Sequence, residues 1–509
     1  MIKSNKFIGI FLIFSFSFMF VGGIQAVSAK TNATIVKIGA LGPLAIIPGD
    51  DMQKGASLAV EEINKNGFTV GSTTDISFEL ITETTSGSTG LPDPQTATTS
   101  LRKLIDDDQV VSILGGFRTE VTIAIQAGLG TTPFLGVGST APLLTPYFWR
   151  VGPINGSELA RSVIEFYMFY ASSLGIKQIT IAREDAIWTT ILGGLIKVSL
   201  ESNPVYNFSF TPDVVIGEAA TTADVKSALT PVATAGYSDA ILSLFLSPAG
   251  KSLTEAWYEL KMTQMVAGIN VESEAHNYFQ STSGAAYGEI NLETLDVDHI
   301  SAKAQAFRDA YFNKYGKEPT YTSYASYDSV YLIKEAMIKS GNTTAAGVQG
   351  GLNGIDYQGT TSKIAFTNEI GPQYSYYANF TPYIVPGFPA RGDIVVHDLY
   401  TSDNVGTNGN GYANAVFVQW QKNGVKHTVY STIDTLNTSL VVYPINHADF
   451  GTIPGQSSST SSTSFSTTSS TSSSLTTSNT TIQTNSGFGS VVVLISLVLL
   501  PFVRRKIKR

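Results

Sequence analysis

Apolar and polar positions along residues 35–137 follow strand-like and helix-like patterns in turn. Ile35–Ile38 is a short apolar run of the kind that forms a buried strand. Apolar positions then recur at helical spacing from Met52 to Ile63, and Gly67 follows as a helix-ending residue. Further runs repeat this order, which predicts a parallel sheet covered by helices on both faces.

The same pattern restarts after Arg150 and predicts a second α/β unit of similar size. Its strands are expected at 178–182, 205–210, 240–244 and 265–269. Two helices, Ser301–Tyr315 and Tyr324–Lys339, are expected next, and a glycine-rich break is expected from Gly341 to Gly354.

Residues 355–450 lose helical periodicity and read as short strands separated by Gly, Asn and Pro turns. Lys422-Asn423-Gly424 predicts a hairpin turn between two of these strands. The fold class is therefore α/β, with two doubly wound parallel-sheet lobes and a C-terminal strand-rich extension. Ligands of open α/β sheets bind outside the carboxyl ends of the strands, so the cleft between the lobes is the expected site.

The first 29 residues have the pattern of an export signal. Lys3 and Lys6 precede an apolar run from Phe7 to Phe20. Val27-Ser28-Ala29 then offers small residues for cleavage before Lys30. An uncleaved N-terminal membrane anchor is the alternative.

The C-terminal end predicts a tether to the membrane. Residues 456–486 are expected to form a solvated stalk, because Ser or Thr fills 24 of the 30 positions from 457 to 486. Residues 487–503 are apolar enough for a short transmembrane helix, and the basic tail 504–509 is expected in the cytoplasm. The body is then expected on the extracellular face, where its Asn-x-Ser/Thr triplets fit a glycoprotein.

Composition narrows the chemistry. The chain has no cysteine, which excludes disulfides, thiolate metal sites and cysteine nucleophiles. Its five histidines lack H-x-x-x-H spacing, so a zincin-type metal site is not expected. No residue is assigned to any metal or to a cofactor. Residues 31–486 carry 24 basic and 40 acidic side chains, which makes nucleic acid an unexpected partner.

Two predicted strand-to-helix loops carry hydroxyl residues. Gly116-Phe117-Arg118-Thr119 lies in one loop and Gly138-Ser139-Thr140 in the other. A helix N-terminus has a partial positive charge and unpaired N–H groups, which suit a carboxylate or other anion. Simple capping of helices by Thr119 and Thr140 is the alternative interpretation.

Segments spread from Val36 to Tyr443 match, in order, the pattern of a known family. They are Val36–Pro43, Gly55–Asn64, Asp93–Ala97, Pro133–Ala141, Gln419–Gln421 and Val441–Pro444. With these segments the chain resembles the extracellular solute-binding proteins of the branched-chain amino-acid type, which have the periplasmic-binding type I fold.

The resemblance implies two lobes joined by three crossover strands that close on a ligand. It assigns 30–150 and 275–345 to the first lobe, and 151–274 and 346–455 to the second. Thr119 and Thr140 would hold a ligand carboxylate, with backbone contacts from Ser139. Trp188 falls where the family often places an aromatic cover, with ordinary core packing as its alternative.

The ammonium partner departs from the family pattern. The family's amino-acid binders place an acidic residue after the strand that here ends at Ile269, but Asn270 occupies that position. Because a buried ammonium without a carboxylate is costly, either Glu272 or Glu274 substitutes or the ligand is an amide, a carboxylate or a short peptide. Tyr327 is a further candidate on its helix, with a packed helix face as the alternative.

These features favour a non-enzymatic, membrane-tethered receptor. It would capture a small polar metabolite and deliver it to the permease and ATPase subunits of an ABC importer. A surface sensor of the same fold is an alternative, although the tail 504–509 is too short to hold a signalling domain. An anchored hydrolase is disfavoured, because the chain has no G-x-S-x-G elbow and no H-E-x-x-H motif.

Overall fold

The computed structural model describes residues 34–236, 238–370, 395–400, 412–413 and 415–431. The predicted signal peptide, stalk, transmembrane helix, basic tail and strand at 440–443 lie outside these ranges. Among the helices of the described residues, none combines the length and the hydropathy that a membrane crossing requires.

The first part of the described chain forms a six-stranded sheet and its covering helices. Its elements are β1 (Thr34–Gly42), α1 (Ile47–Asn66), β2 (Phe68–Val70), β3 (Thr73–Thr84), α2 (Pro94–Arg102), β4 (Ile113–Phe117), α3 (Thr119–Gly128), β5 (Phe134–Gly138) and β6 (Phe148–Arg150). The strand order is β2-β3-β1-β4-β5-β6, and every neighbouring pair is parallel except β2 with β3. This is the first of the two predicted doubly wound sheets.

The middle part repeats the arrangement. Its elements are α4 (Gly156–Glu165), β7 (Gln178–Glu184), α5 (Ile187–Glu201), β8 (Ser209–Phe210), β9 (Val214–Ile216), α6 (Thr222–Ala235), β10 (Ala240–Phe245), α7 (Ala249–Glu259), β11 (Met265–Asn270), α8 (Tyr278–Ser281) and β12 (Ile290–Glu293). A π-helical turn (Phe166–Tyr170) and a 3₁₀ turn (Ala171–Leu174) extend α4, and a second 3₁₀ turn (Val271–Glu274) follows β11.

The last part contributes to both lobes. Its elements are α9 (Ala302–Tyr315), α10 (Tyr321–Ser340), α11 (Ala345–Leu352), β13 (Asp356–Gln358), β14 (Lys363–Ala365), β15 (Glu369–Ile370), β16 (Val395–Val396), β17 (Val416–Trp420) and β18 (Lys426–Ser431). Helix α10 packs along α1 in the first lobe. The β17–β18 hairpin adds antiparallel strands to the second sheet, whose order is β18-β17-β12-β11-β10-β7-β8 with β9 beside β7.

The predicted turn between β17 and β18 is confirmed. Gly424 has φ +75°, and its N–H donates to the carbonyl of Gln421 over 2.9 Å. Positive φ is accessible to glycine without strain, which explains the residue at this position. The β17–β18 hairpin therefore completes the second sheet.

Two lobe boundaries differ from those expected. β12, expected in the first lobe, pairs with β11 and β17 inside the second sheet. Helix α11 packs against α10 of the first lobe, where Gln349 accepts a hydrogen bond from the Trp149 indole over 2.9 Å. Both segments are placed by partners remote in sequence, which local patterns do not reveal.

The glycine-rich break expected from Gly341 to Gly354 is wrong, because α11 lies inside it. Thr344 caps the helix by accepting from the N–H of Gly347 over 3.4 Å. A Cβ on Gly351 would clash with the carbonyl oxygen of Ala336, so glycine here lets α11 approach the α10 backbone. The strand expected at 205–210 is also shorter than predicted, since Val205 is exposed and only Ser209–Phe210 pairs.

Candidate ligand-binding site

A cavity lies between the lobes at the carboxyl ends of their parallel strands. The space between its walls measures about 550 Å³ when it is counted out to the open mouth. Its lining residues are Arg118, Thr119, Gly138, Ser139, Thr140 and Tyr321 from the first lobe, Pro153 and Thr294 from the crossovers, and Leu159, Trp188, Leu246, Ile269, Val271, Glu274, Leu292 and Glu293 from the second lobe.

The first-lobe wall is made of the two loops that the sequence singled out. Arg118 has φ +70°, which turns the chain sharply from β4 into α3, and Thr119 is the first residue of that helix. Ser139 follows β5 and accepts a hydrogen bond from the N–H of Ala141 over 3.1 Å. Thr119, Ser139 and Thr140 therefore line one wall, beside a helix N-terminus that favours an anion.

Trp188 belongs to the opposite wall. It lies in the first turn of α5, and its indole N–H donates to Glu184 Oε1 over 2.7 Å. The same carboxylate accepts from the backbone N–H groups of Leu246 and Ser247 at 3.1 and 2.9 Å. Glu184 thus fixes the Trp188 indole relative to the β10–α7 loop. Trp188, Leu246 of that loop and Ile269 give the cavity an apolar wall.

Two carboxylates form an acidic corner. Glu274 comes from the 3₁₀ turn after β11, and Glu293 ends β12. Glu274 accepts from the N–H of Tyr321 over 3.2 Å, whereas Glu293 forms an ion pair with Lys426 at 2.7 Å. Burial and the neighbouring charge of Glu293 raise the pKa of Glu274 well above its ordinary value. A cation placed here would favour the ionised form of Glu274.

Arg118 joins the two lobes at the cavity wall. Its guanidinium, 5% exposed, forms a bidentate pair with Glu218 of the second lobe, in which Nη1 lies 2.9 Å from Oε2. Glu184 lies 3.7 Å from Nη2, and Glu120 of the first lobe lies 3.2 Å from Nε. Burial raises the pKa of Glu184, and the charge of Arg118 opposes that shift.

Three residues expected at the site do not line the cavity. Asn270 is buried and donates to Glu289 over 2.8 Å and to the Tyr278 hydroxyl over 3.0 Å. Successive strand residues face opposite sides of a sheet, so Ile269 and Val271 reach the cavity and Asn270 does not.

Glu272 and Tyr327 are also displaced from the cavity. Glu272 shares its 3₁₀ turn with Glu274, and of the two only Glu274 lines the wall. The Tyr327 hydroxyl donates to Glu62 on α1 over 2.6 Å, and its ring packs on Phe307 at 4.5 Å. The packed helix face, given as the alternative for Tyr327, is what the structure shows.

Sequence reasoning did not assign Arg118, Glu293 or Tyr321 to the site, and it named Glu274 only as a possible substitute. Arg118 immediately precedes Thr119 in the same loop, and this position could have identified it as a site residue. Glu293 ends a strand that the pattern did not predict. Tyr321 reaches the cavity because α10 begins there, which depends on packing between distant segments.

The described part of the chain holds no group of three or more His, Cys, Asp or Glu side chains arranged to bind a metal ion. The lining residues of the cavity supply hydrogen-bond donors, carboxylates and apolar surface.

Known proteins share this architecture. The family described as periplasmic binding protein matches residues 36–377. The Leu/Ile/Val-binding protein homolog 7 of Brucella abortus (strain 2308) is 26% identical over 360 residues, which span 66% of this chain and 85% of that protein.

Solved structures are similar in fold at lower identity. The branched-chain amino acid transporter substrate binding protein LivJ of Streptococcus pneumoniae, in complex with isoleucine, has a TM-score of 0.59 and 20% identity, covering 78% of this chain and 99% of LivJ. A solute binding protein of an ABC transporter from Rhodopseudomonas palustris BisB5, in complex with 3,4-dihydroxy benzoic acid, has a TM-score of 0.59 and 18% identity, covering 79% of this chain and 98% of that protein. The matched residues 36–377 include every lining residue of the cavity, and the chain belongs to the periplasmic binding protein family.

Proposed function

We propose that this protein captures a hydrophobic α-amino acid between its lobes and delivers it to an ABC importer. The observation that carries the proposal is the distribution of charge around one cavity. An anion-favouring wall at Thr119 and Thr140, an apolar wall at Trp188 and Ile269, and an acidic corner at Glu274 surround the same space.

Each part of such a ligand has a partner in this arrangement. The carboxylate would accept from the Thr119 and Thr140 loops, and the apolar side chain would contact Trp188 and Leu246. The ammonium would lie beside Glu274, which supplies the acidic group that Asn270 does not provide. This pairing matters because an ammonium buried without a carboxylate is strongly destabilised.

Two glutamates in one 3₁₀ turn provide a matched test. Isothermal titration of the full chain with hydrophobic amino acids should give saturable binding. Glu274→Gln should weaken it about tenfold or more, since a charge-assisted hydrogen bond contributes about 1.5–3 kcal/mol. Glu272→Gln should leave affinity unchanged. Absence of binding by any hydrophobic amino acid, or equal losses in both variants, would contradict the proposed ligand.

An aromatic carboxylate is the second candidate. The indole of Trp188 and the aliphatic side chains around it favour an apolar ring, and the Rhodopseudomonas protein of the same fold holds a dihydroxybenzoic acid. The same titration separates the two classes. A benzoate lacks an ammonium, so its affinity should be insensitive to Glu274→Gln or should improve when that charge is removed.

The site of action is proposed from the ends of the chain. The export signal at 1–29 and the segments at 456–509 support a receptor on the extracellular face, tethered beside its permease. N-terminal sequencing of the mature protein should begin at Lys30, and protease added to intact cells should remove the body. A surface sensor of the same fold remains the alternative, and deleting a partner permease should abolish ligand uptake only in the transport case.

A further inference from the structure

The ion cluster around Arg118 connects groups that belong to different lobes. Arg118 and Glu120 lie at the start of α3 in the first lobe, whereas Glu184 ends β7 and Glu218 follows β9 in the second. The pairs Arg118–Glu218 and Arg118–Glu184 therefore exist only while the lobes are close together. The pair Arg118–Glu120 lies within one lobe and does not depend on closure.

Glu184 extends this connection to the cavity wall. The Glu184 side chain is fully buried, and its two oxygens accept from the Trp188 indole and from the N–H groups of Leu246 and Ser247. The positive guanidinium of Arg118, as long as it stays close, compensates the negative charge of the buried Glu184 carboxylate. The position of Trp188 is then coupled to the distance between the lobes.

The carboxylate of Glu218 pairs with the guanidinium of Arg118 in one preferred orientation. Its side chain is 20% exposed, and both of its oxygens meet the guanidinium of Arg118. Paired planar groups of this kind are stronger and more specific in orientation than a single contact between point charges. Partial exposure also means that dissolved salt weakens the pair when the lobes begin to separate.

We propose that Arg118 is an electrostatic latch between the lobes: its pairs with Glu218 and Glu184 hold the cleft closed and position Trp188 against the cavity. The latch acts on the equilibrium between open and closed forms of the unliganded chain, so it goes beyond the proposed ligand and is tested without one. A ligand would then select among conformations whose populations the latch has already shifted.

The test uses the absence of cysteine from the chain. Ala127→Cys in α3 and Ser227→Cys in α6 are exposed positions, one in each lobe, that accept spin labels. Distances between the labels are measured by pulsed electron resonance on the full chain without added ligand, at low and high sodium chloride. Cooperative thermal unfolding of each variant confirms that it is folded.

Three substitutions form the series. Glu218→Gln should lengthen the label distance by more than about 2 Å, the scale of a domain rearrangement. Glu218→Lys should lengthen it further, because it places a like charge opposite Arg118. Glu120→Gln, which removes a neighbouring charge within the same lobe, should match the parent protein. High salt should lengthen the distance in the parent, shorten it in Glu218→Lys by screening the repulsion, and change it least in Glu218→Gln.

Either of two results would overturn the latch. One is an unchanged distance in both Glu218 variants, and the other is equal opening in Glu120→Gln. These outcomes are independent of whether amino acids bind, so failure of the latch and failure of the proposed ligand are distinguishable.

Discussion

Arg150 Nε donates to Asp398 Oδ1 over 2.7 Å, and both side chains are almost completely buried. Arg150 ends β6 in the first lobe, whereas Asp398 follows β16 in a segment 248 residues away along the chain. The remaining guanidinium nitrogens of Arg150 donate to the carbonyls of Ser139 and Ala141, in the loop that follows β5 and lines the cavity. Asp398 also accepts from Asn155, the residue that caps α4 of the second lobe.

The Arg150–Asp398 ion pair therefore lies beneath the loop after β5 and beside a crossover between the lobes. Asp398→Asn should destabilise the fold by about 3–5 kcal/mol, because it removes the negative charge that pairs with the buried Arg150 guanidinium. Urea unfolding measures the difference. Asp356→Asn, which removes the exposed partner of Lys363, is the matched control and should cost at most about 1 kcal/mol. Equal losses in the two variants would show that burial of the pair has no special effect.

Thr119 should contribute to anion binding through its hydroxyl. Thr119→Val preserves shape but removes that donor, so affinity for a carboxylate ligand should fall by about tenfold or more. Thr131→Val changes an exposed threonine and should leave affinity unchanged. Titration calorimetry gives both values. Retained affinity in Thr119→Val would show that the Thr119 hydroxyl does not hold the ligand.

Affinity for an ammonium ligand should rise with pH. The pKa of Glu274 is raised in the cavity by burial and by Glu293, so at low pH the side chain binds a proton that an ammonium must displace. Dissociation constants measured from pH ~5 to ~8 should decrease, and calorimetry in two buffers should detect proton release. Glu274→Gln should remove both effects, and a pH profile that persists in this variant would assign the proton to another group.

Glu289 should make the fold less stable as pH rises. Burial raises its pKa from 4.5 to about 7, while Asn270, Thr254 and Tyr278 donate to it and partly oppose that shift. The folded state therefore binds more protons than the unfolded chain between about pH 4.5 and 7. This contribution to stability is complete below pH ~4.5 and is lost as pH rises through ~7.

The size of that effect is about 3 kcal/mol for a shift of this order. Glu289→Gln should abolish the corresponding decline in unfolding free energy measured by urea titration at pH ~5 and ~8. Glu259→Gln alters an exposed carboxylate and should leave the decline intact. A decline that survives in Glu289→Gln would place its origin elsewhere.

Two helix glycines should respond in opposite ways to alanine. A Cβ on Gly55 of α1 would clash with the Ser323 carbonyl of α10, so Gly55→Ala should destabilise by about 1–3 kcal/mol. Gly194 in α5 has open space around its Cα, so Gly194→Ala should stabilise by about 0.5–1 kcal/mol. Thermal unfolding compares them, and a neutral Gly55→Ala would mean that the α1–α10 contact relaxes easily.

Local sequence pattern predicted much of one side of the cavity. Thr119, Ser139 and Thr140 follow parallel strands that are neighbours in both sequence and sheet, so their loops had to meet at one edge. Helices such as α1 and α10 were also predictable, because their apolar spacing is long and regular.

The second-lobe wall of the cavity depended on strand register and on pairing between remote segments, which local sequence pattern does not reveal. A shift of one residue along β11 moves a side chain to the other face, which separated Asn270 from Ile269. β12 was not predicted because its four residues are too short to give a periodic signal, and its partners β11 and β17 come from remote segments.

The sequence by itself determined the two α/β units, the loops with hydroxyl groups and the apolar positions that bury each sheet. Those features follow from interactions between residues close together in the chain. Tertiary structure alone decided that Glu274 and Tyr321 line one cavity and that Arg118 pairs with Glu218. It also decided that Asp398 holds Arg150 against the loop after β5. Each of these contacts joins segments far apart in the chain, and only the packing of the lobes brings them within the few ångströms over which charges and hydrogen bonds act.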